Sequence, residues 1–124
     1  MAPYEKHLFV CTNQRVEGHP RGCCADRGGF EIRVACAREL AARGLKGIVR
    51  ANKSGCLDVC ELGAAMVIYP RGIWYLGITA DDVPEIIETS IVGDGIVDRL
   101  VATEADWDRL KQLRTVEKAV RETN

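Results

Sequence analysis

Residues 30–51, FEIRVACARELAARGLKGIVRA, combine a helical pattern with a strand pattern. Apolar side chains recur at the spacing of one helix face, and the predicted buried set is Phe30, Val34, Ala37 and Ala41. Gly44 is a natural end for this helix, because glycine readily takes the left-handed conformation that follows a last helical turn. Residues 48–51, IVRA, are typical of a strand. The stretch therefore predicts a helix that leads directly into a strand.

Apolar runs on both sides extend this unit into a sheet. Residues 8–11, LFVC, predict a buried strand before the helix, and strand, helix, strand in one unit predicts a parallel crossover pair. Residues 64–69 and 73–78 predict two further strands, and Pro70-Arg71-Gly72 predicts the turn of a hairpin between them. The expected fold class is therefore α/β, with helices packed on a mixed sheet.

Two more segments follow the hairpin. A helix is predicted around residues 82–90, with Asp81 preferred over Thr79 as its N-cap, because Asp81 places Pro84 within the first turn. Residues 96–101 predict a short extended piece.

The end of the chain predicts a last, amphipathic helix. Thr103 and Asp106 form a capping-box pattern at its start. Its apolar stripe comprises Trp107, Leu110, Leu113, Val116 and Val120. We expect this helix to pack on the domain or on a partner chain, so the predicted organisation is a domain of residues 1–101 and a helical extension of residues 102–124.

Composition and charge limit the class of protein. The chain has 124 residues, 47% of them hydrophobic and 28% charged, with a formal net charge of -1. That length suits one domain with its own core, and a charge near zero argues against bulk attraction to nucleic acid. Residues 1–7 lack the pattern of a secretory signal, and the apolar runs are too short to span a membrane. We expect a cytoplasmic protein with neither nucleic acid nor membrane as its partner.

The number of cysteines is high for such a chain. There are six of them: Cys11, Cys23, Cys24, Cys36, Cys56 and Cys60. Because thiols stay reduced in the cytosol, metal ligation or redox chemistry is favoured over three disulfides. Cys36 lies within the first predicted helix, near its apolar face, and is interpreted as a small buried hydrophobe.

Four of the cysteines form a candidate metal site in two glycine-bounded loops. Cys11, Cys24, Cys56 and Cys60 have the spacing C-x12-C-x31-C-x3-C. Four thiolates suit either a zinc ion or a 2Fe-2S cluster, and this spacing matches neither the usual zinc knuckles nor the plant-type and bacterial ferredoxin patterns. Spacing alone leaves both possibilities open. Positive charge near the candidate ligands, and glycines that leave backbone N–H groups unblocked, would favour the anionic cluster. These residues are Arg15, Arg21, Lys53, Gly18, Gly22, Gly55 and Gly63.

A family resemblance rests on the same residues. Residues 8–24, LFVCTNQRVEGHPRGCC, residues 52–63, NKSGCLDVCELG, and residues 67–75, VIYPRGIWY, resemble the thioredoxin-like 2Fe-2S ferredoxins, also called Shethna-type ferredoxins. Residues 81–87 fit as well, and the resemblance extends over about residues 7 to 101. The cysteine spacing together with the EGHPRG segment is its most specific part.

The resemblance implies both a fold and a function. It implies a thioredoxin-like mixed four-stranded sheet flanked by helices, with the C-terminal helix as an addition, and one 2Fe-2S cluster for one-electron transfer. The implied ligands are Cys11, Cys24, Cys56 and Cys60, on two loops that meet at one edge of the domain. Members of the family commonly form homodimers, and related domains serve as cluster-bearing subunits of NADH dehydrogenases and hydrogenases. Cys23 stands where the family usually has Ser, and it is interpreted as a thiol beside the cluster or as an alternate ligand.

The functional expectation is a carrier rather than an enzyme. No Ser-His-Asp grouping, phosphate loop or dinucleotide fingerprint occurs. We expect a one-electron carrier that accepts an electron from a reductase and passes it to an acceptor enzyme. One alternative is a cluster-bearing subunit of a larger oxidoreductase, and another is a zinc-stabilised interaction module. His7 and His19 are further ligand types, as in Rieske centres, but four cysteines already complete a cluster. Trp74 and Tyr75 are interpreted as core and interface residues.

Overall fold

A computed structural model describes the backbone of residues 4–12, 28–55, 57 and 59–123. It also describes the side chains of these residues up to 115, except that of residue 60. The structural statements below concern these residues.

A mixed sheet of four strands forms the centre of the fold. The strands are β1 (Lys6–Cys11), β2 (Val49–Ser54), β3 (Ala65–Tyr69) and β4 (Ile73–Leu76), in the spatial order β2-β1-β3-β4. β1 and β2 are parallel, while the β1–β3 and β3–β4 pairs are antiparallel. The predicted parallel crossover and the predicted hairpin are both confirmed.

Helices flank this sheet. Helix α1 (Gly29–Ala42) connects β1 to β2, and helix α2 (Val83–Ile86) continues as a π-helical segment, Ile87–Val92. Helix α3 (Glu104–Thr123) ends the described chain. The prediction of an extended piece at residues 96–101 is wrong, because residues 98–100 form a turn and the segment contributes only one bridge, between Val101 and Tyr75.

The face of α1 that meets the sheet differs from the predicted one. Its core face consists of Gly29, Ile32, Cys36 and Leu40. Phe30 and Val34, which were predicted to be buried, are 45% and 40% exposed. Ile32 and Leu40 lie on a second stripe of α1 that is as regular as the predicted one. The predicted stripe ends in two alanines, Ala37 and Ala41. Burying the larger aliphatic side chains removes more apolar surface from water, so that stripe takes the core position.

The N-cap that precedes α2 also differs from the prediction. Thr79, not Asp81, forms the cap: its backbone N–H donates to Asp82 Oδ2 at 2.8 Å, within a capping box. A 3₁₀ turn, Ala80–Asp82, lies between this cap and α2, so Pro84 still occupies the first turn of α2. Proline is tolerated there because that turn needs no backbone donor from it.

Tyr75 anchors the segment after α2 to the sheet from within the core. Its side chain is fully buried, its hydroxyl accepts a hydrogen bond from the backbone N–H of Val97 at 2.8 Å, and it is hydrogen-bonded to the Ser90 hydroxyl. One β4 side chain thus ties together two segments far from it in sequence. The interpretation of Tyr75 as a core residue is confirmed.

Replacing Tyr75 by phenylalanine should lower the free energy of unfolding by about 1–3 kcal/mol, because it leaves the buried Val97 N–H and Ser90 hydroxyl without their shared partner. Urea denaturation followed by circular dichroism measures the change. Tyr69→Phe is the matched control, since Tyr69 is exposed on β3. An equal loss in the two variants would contradict this role for the Tyr75 hydroxyl.

Candidate metal centre

Cys11 is the last residue of β1, and it is fully buried. It belongs to a small apolar cluster with Val59, Ala65 and Leu110, separate from the main core between α1 and the sheet. Residues alternate between the two faces of a strand. Leu8 and Val10 accordingly face the main core, and Cys11 lies on the other side of the sheet.

The end of β2 lies directly beside Cys11. Cys11 is paired with Ser54 in the parallel register, and the backbone N–H of Thr12 donates to the Ser54 carbonyl oxygen at 3.1 Å. The Thr12 hydroxyl donates to the same oxygen at 3.3 Å. The chain that continues toward residue 56 therefore leaves the sheet next to Cys11. Parallel strands bring their carboxyl ends to one edge of a sheet, and we call this place the cysteine edge.

The 3₁₀ helix Cys60–Leu62 starts at the same edge. Val59, which precedes it, packs in the apolar cluster of Cys11. The backbone N–H of Leu62 donates to the Val59 carbonyl at 2.9 Å, and the Leu62 carbonyl accepts from Gly77, just after β4, at 3.0 Å. These bonds fix the backbone at Cys60 relative to the sheet.

The rest of the predicted site lies outside the described residues. This applies to Cys24, Cys56, Cys23 and His19, to Arg15, Arg21, Gly18 and Gly22, and to the side chain of Cys60. Among the side chains that the structure describes, no three His, Cys, Asp or Glu residues lie close enough to hold a metal ion. The four-cysteine ligand set therefore stays a prediction.

Cys36 is separated from this edge by its place in the main core. It is fully buried on α1, and burial raises the pKa of its thiol to about 12, because the thiolate would lose its hydration. A thiol held neutral in this way is neither a ready nucleophile nor a ready ligand. Its interpretation as a small buried hydrophobe is confirmed.

His7 lies within a group of aromatic side chains on the same sheet face as Cys11. Its ring stacks on Phe9 with centroids 4.6 Å apart and contacts Tyr4 edge-on at 5.6 Å. Phe9 in turn meets Tyr69 edge-on at 6.2 Å. Sequence reasoning missed this aromatic patch of Tyr4, His7, Phe9 and Tyr69, although the period-two spacing of His7 and Phe9 was a usable signal.

Helix α3 packs against the cysteine edge. Its predicted capping box is confirmed, since the Thr103 N–H donates to Asp106 Oδ2 at 2.8 Å and the Asp106 N–H to Thr103 Oγ1 at 3.2 Å. Leu110 of the predicted stripe is buried, while Trp107 and Leu113 are half-buried. The side chains of Val116 and Val120 lie outside the described residues. Of the two predicted alternatives, packing on the domain or on a partner chain, the structure shows that α3 packs on the domain.

Similarity to known proteins agrees with this geometry. No protein-family model matches the chain. A 2Fe-2S ferredoxin of Clostridium pasteurianum is 42% identical over 94 residues, which are 76% of this chain and 92% of that protein. The chain belongs to the 2Fe-2S ferredoxins. A second relative of this ferredoxin, the 2Fe-2S ferredoxin of Aquifex aeolicus (strain VF5), is 36% identical over 100 residues, 80% of this chain and 90% of that protein.

The fold of this ferredoxin is also that of its solved relatives. The crystal structure of the thioredoxin-like [2Fe-2S] ferredoxin from Aquifex aeolicus superposes with a TM-score of 0.76 and 36% identity, covering 83% of this chain and 100% of that one. The predicted thioredoxin-like sheet flanked by helices is confirmed, and so is the 2Fe-2S cofactor. The zinc alternative, left open by spacing, is not supported.

The residues present fit such a cluster. The buried Cys11 at the cysteine edge offers a soft sulfur ligand in apolar surroundings, next to two segments that carry further cysteines in the sequence. Like its relatives, this ferredoxin is an iron–sulfur electron carrier. In the part of the chain that the structure describes, no helix is both long and apolar enough to cross a membrane.

Proposed function

We propose that this ferredoxin is a cytoplasmic one-electron carrier whose single cluster is held by Cys11, Cys24, Cys56 and Cys60. It takes an electron from a reductase and passes it to an acceptor enzyme. The observation that carries the proposal is the pairing of Cys11 with Ser54, because it puts the start of the segment that leads to Cys56 beside a buried cysteine.

Two further observations support this ligand set. The 3₁₀ helix that begins at Cys60 is hydrogen-bonded, through the Leu62 carbonyl, to Gly77 just after β4. Val59, which precedes Cys60, shares an apolar cluster with Cys11. Two solved structures of the Aquifex aeolicus relative are cysteine-to-serine variants, with the two changes four positions apart. Cys56 and Cys60 have the same separation here.

The cluster, when bound, supplies a centre that gains and loses one electron. The chain's own residues hold that centre and limit its contact with water. Cys11 contributes its sulfur from an apolar setting, and Thr12 locks the strand end through both bonds to the Ser54 carbonyl. Lys53, exposed near the end of β2, adds positive charge beside an anionic site.

Docking to redox partners should involve the cysteine edge. Weak redox encounters use small interfaces, so the contact surface needs to lie close to the cluster. Lys53 is exposed there, and Arg15 and Arg21, which lie outside the described residues, add basic charge between Cys11 and Cys24 in the sequence. We expect these residues to contact acidic groups on the partner.

Absorption spectroscopy with iron and sulfide analysis tests the proposed carrier. A brown protein that takes up one electron per cluster in a reductive titration is the expected result. Native purification then separates the free carrier from the alternative, a subunit of an NADH dehydrogenase-like or hydrogenase-like enzyme. Co-elution with a flavin or hydrogenase partner would replace the free carrier with that alternative.

The second ligand is tested at the two adjacent cysteines. Cys24→Ala should lower cluster content by more than about tenfold, because it removes a ligand, whereas Cys23→Ala should keep the spectrum. Iron content and visible absorption of the purified variants measure the difference. If Cys23→Ala loses the cluster and Cys24→Ala keeps it, Cys23 is the second ligand.

The aromatic patch supports a homodimer as the working state. Tyr4, His7, Phe9 and Tyr69 gather on the sheet face opposite the main core, and Tyr69 is exposed. Aromatic side chains bury large areas at protein interfaces. We expect Tyr69→Glu to convert dimer into monomer, as measured by light scattering after gel filtration, while Val92→Glu, at another exposed apolar position, leaves the mass unchanged. A variant Tyr69→Glu that stays dimeric would place the interface elsewhere.

A further inference from the structure

Helix α3 covers the side of the cysteine edge that faces away from the main core. Leu110 is only 7% exposed and packs in the same apolar cluster as Cys11, Val59 and Ala65. Leu57, Leu62, Trp74, Leu76 and Trp107 surround this cluster. The apolar surroundings of Cys11 thus come from three parts of the chain, and α3 supplies one of them.

Two contacts fix the start of α3 against the sheet. The Ala102 N–H donates to the Trp74 carbonyl oxygen of β4 at 2.8 Å, and this bond holds the segment just before the helix. The ring of Trp107 then meets the ring of Trp74 edge-on, with centroids 5.9 Å apart and planes at 87°. Edge-to-face pairs of this kind add stability beyond the apolar area they bury. The first turn of α3 is therefore held in register with β4.

An ion pair joins α3 to the 3₁₀ helix that contains Cys60. Arg114 Nε donates to Glu61 Oε2 at 3.3 Å, and the Glu61 side chain is only 5% exposed. A carboxylate shielded from water to this degree depends on its cation far more than a surface carboxylate does. Glu61 directly follows Cys60 in the chain, so the charge that Arg114 balances lies next to a proposed ligand.

We propose that α3 is a cover for the cluster that lowers its reduction potential by keeping water from the Cys11 side. This inference rests on the proposed ligand role of Cys11. Reduction adds one electron, and so one negative charge, to a centre that is already anionic. Water stabilises the more highly charged reduced state, so excluding water disfavours reduction. Leu110 and Trp107 act here as positioning residues, because they shape the surroundings of the cluster without binding it.

Arg114 raises the reduction potential of the cluster, whereas the apolar cover lowers it. Its positive charge pairs with Glu61, next to the proposed ligand Cys60, so removing Arg114 makes the charge on this side of the cluster site more negative. A negative charge nearby disfavours the addition of another electron, and the potential should then fall further. The two parts of α3 thus predict shifts of opposite sign, which a general loosening of the fold would not produce.

The test compares two alanine variants of α3 in the full-length, cluster-loaded protein. Leu110→Ala opens the buried side of the helix, and Gln112→Ala, on its exposed side, is the matched control. Leu110→Ala should move the reduction potential in the positive direction and speed the loss of iron to an external chelator several-fold. Gln112→Ala should change neither. Unchanged potential and unchanged chelation in a folded, loaded Leu110→Ala protein would overturn the proposal.

Arg114→Gln tests the charge part with the apolar part intact. Its potential should move in the negative direction, and Arg114→Lys should restore most of the original value. A positive shift in Arg114→Gln, or none, would refute the role of this ion pair. If Leu110→Ala loads too little cluster for electrochemistry, Trp107→Leu is measured by the same two criteria.

These results are distinguishable from a failure of the proposed function. If Cys11 is not a ligand, Cys11→Ala keeps its cluster, whatever happens in the variants of α3. If Cys11 is a ligand but α3 is no cover, Cys11→Ala loses the cluster, and Leu110→Ala retains the original potential.

Discussion

The purified Cys11→Ala variant should lack the visible absorption of the cluster. Its iron content should be lower than that of the unmodified protein by more than about tenfold. Cys11 is the one proposed ligand whose side chain the structure describes, and it is fully buried at the end of β1. Alanine removes the sulfur and adds no other donor. Among the side chains that the structure describes, no three His, Cys, Asp or Glu residues lie together as a substitute metal site.

Cys36→Ala is the matched control for this loss. Both cysteines are buried, and both variants remove one sulfur from the interior. Cys36 nevertheless lies in the main core between α1 and the sheet, so its variant should keep the full spectrum and lose only some stability. Equal loss of iron in the two variants would mean that the cluster is sensitive to packing in general, and Cys11 would no longer stand as a ligand.

The contrast between these cysteines shows what the sequence could predict about the site. The apolar run that ends in Cys11 predicted a strand end, and the family resemblance implied that the two cysteine loops meet at one edge of the domain. The pairing of Cys11 with Ser54 agrees with that. The position of Cys36 within a helical pattern likewise predicted a core residue. The strand end at Cys11 and the core position of Cys36 are the two predictions that depend on short-range periodicity, which the chain itself carries.

Contacts between distant segments could not be predicted in this way. The Arg114–Glu61 pair joins residues 53 positions apart, and no local pattern marks either partner. The Tyr75 hydroxyl meets Ser90 and the Val97 N–H only because the segment after α2 folds back over β4. Such contacts follow from tertiary packing, in which many segments compete for the same surface.

The Thr79 cap illustrates a competition on a smaller scale. Asp81 and Thr79 are both favourable N-cap residues, and the choice between them depended on where Pro84 would fall. A 3₁₀ turn before α2 removes that conflict, because it lets Thr79 cap the segment while Pro84 stays in the first turn of α2. The sequence contains both solutions, and only the geometry of the turn distinguishes them.

The face of α1 gives the second large expected effect. Ile32→Ala should lower the free energy of unfolding by about 2–5 kcal/mol, because it leaves a cavity against the sheet at a position that is almost fully buried. Val34→Ala should change it by no more than about 0.5 kcal/mol, because Val34 is exposed on the same helix. Both variants replace a β-branched residue by alanine, so helix propensity changes in the same direction in each.

Urea denaturation of the two cluster-loaded variants, followed by far-ultraviolet circular dichroism, measures this difference. Periodicity alone favoured Phe30 and Val34 as the buried face, and the reverse result, with Val34→Ala the more damaging, would restore that face. The packing of the main core favours Ile32, because this side chain and Leu40 belong to the same buried cluster as Leu8 and Val10 of β1. The loss in Ile32→Ala should appear as a lower urea midpoint with an unchanged slope, since the surface exposed on unfolding stays nearly the same.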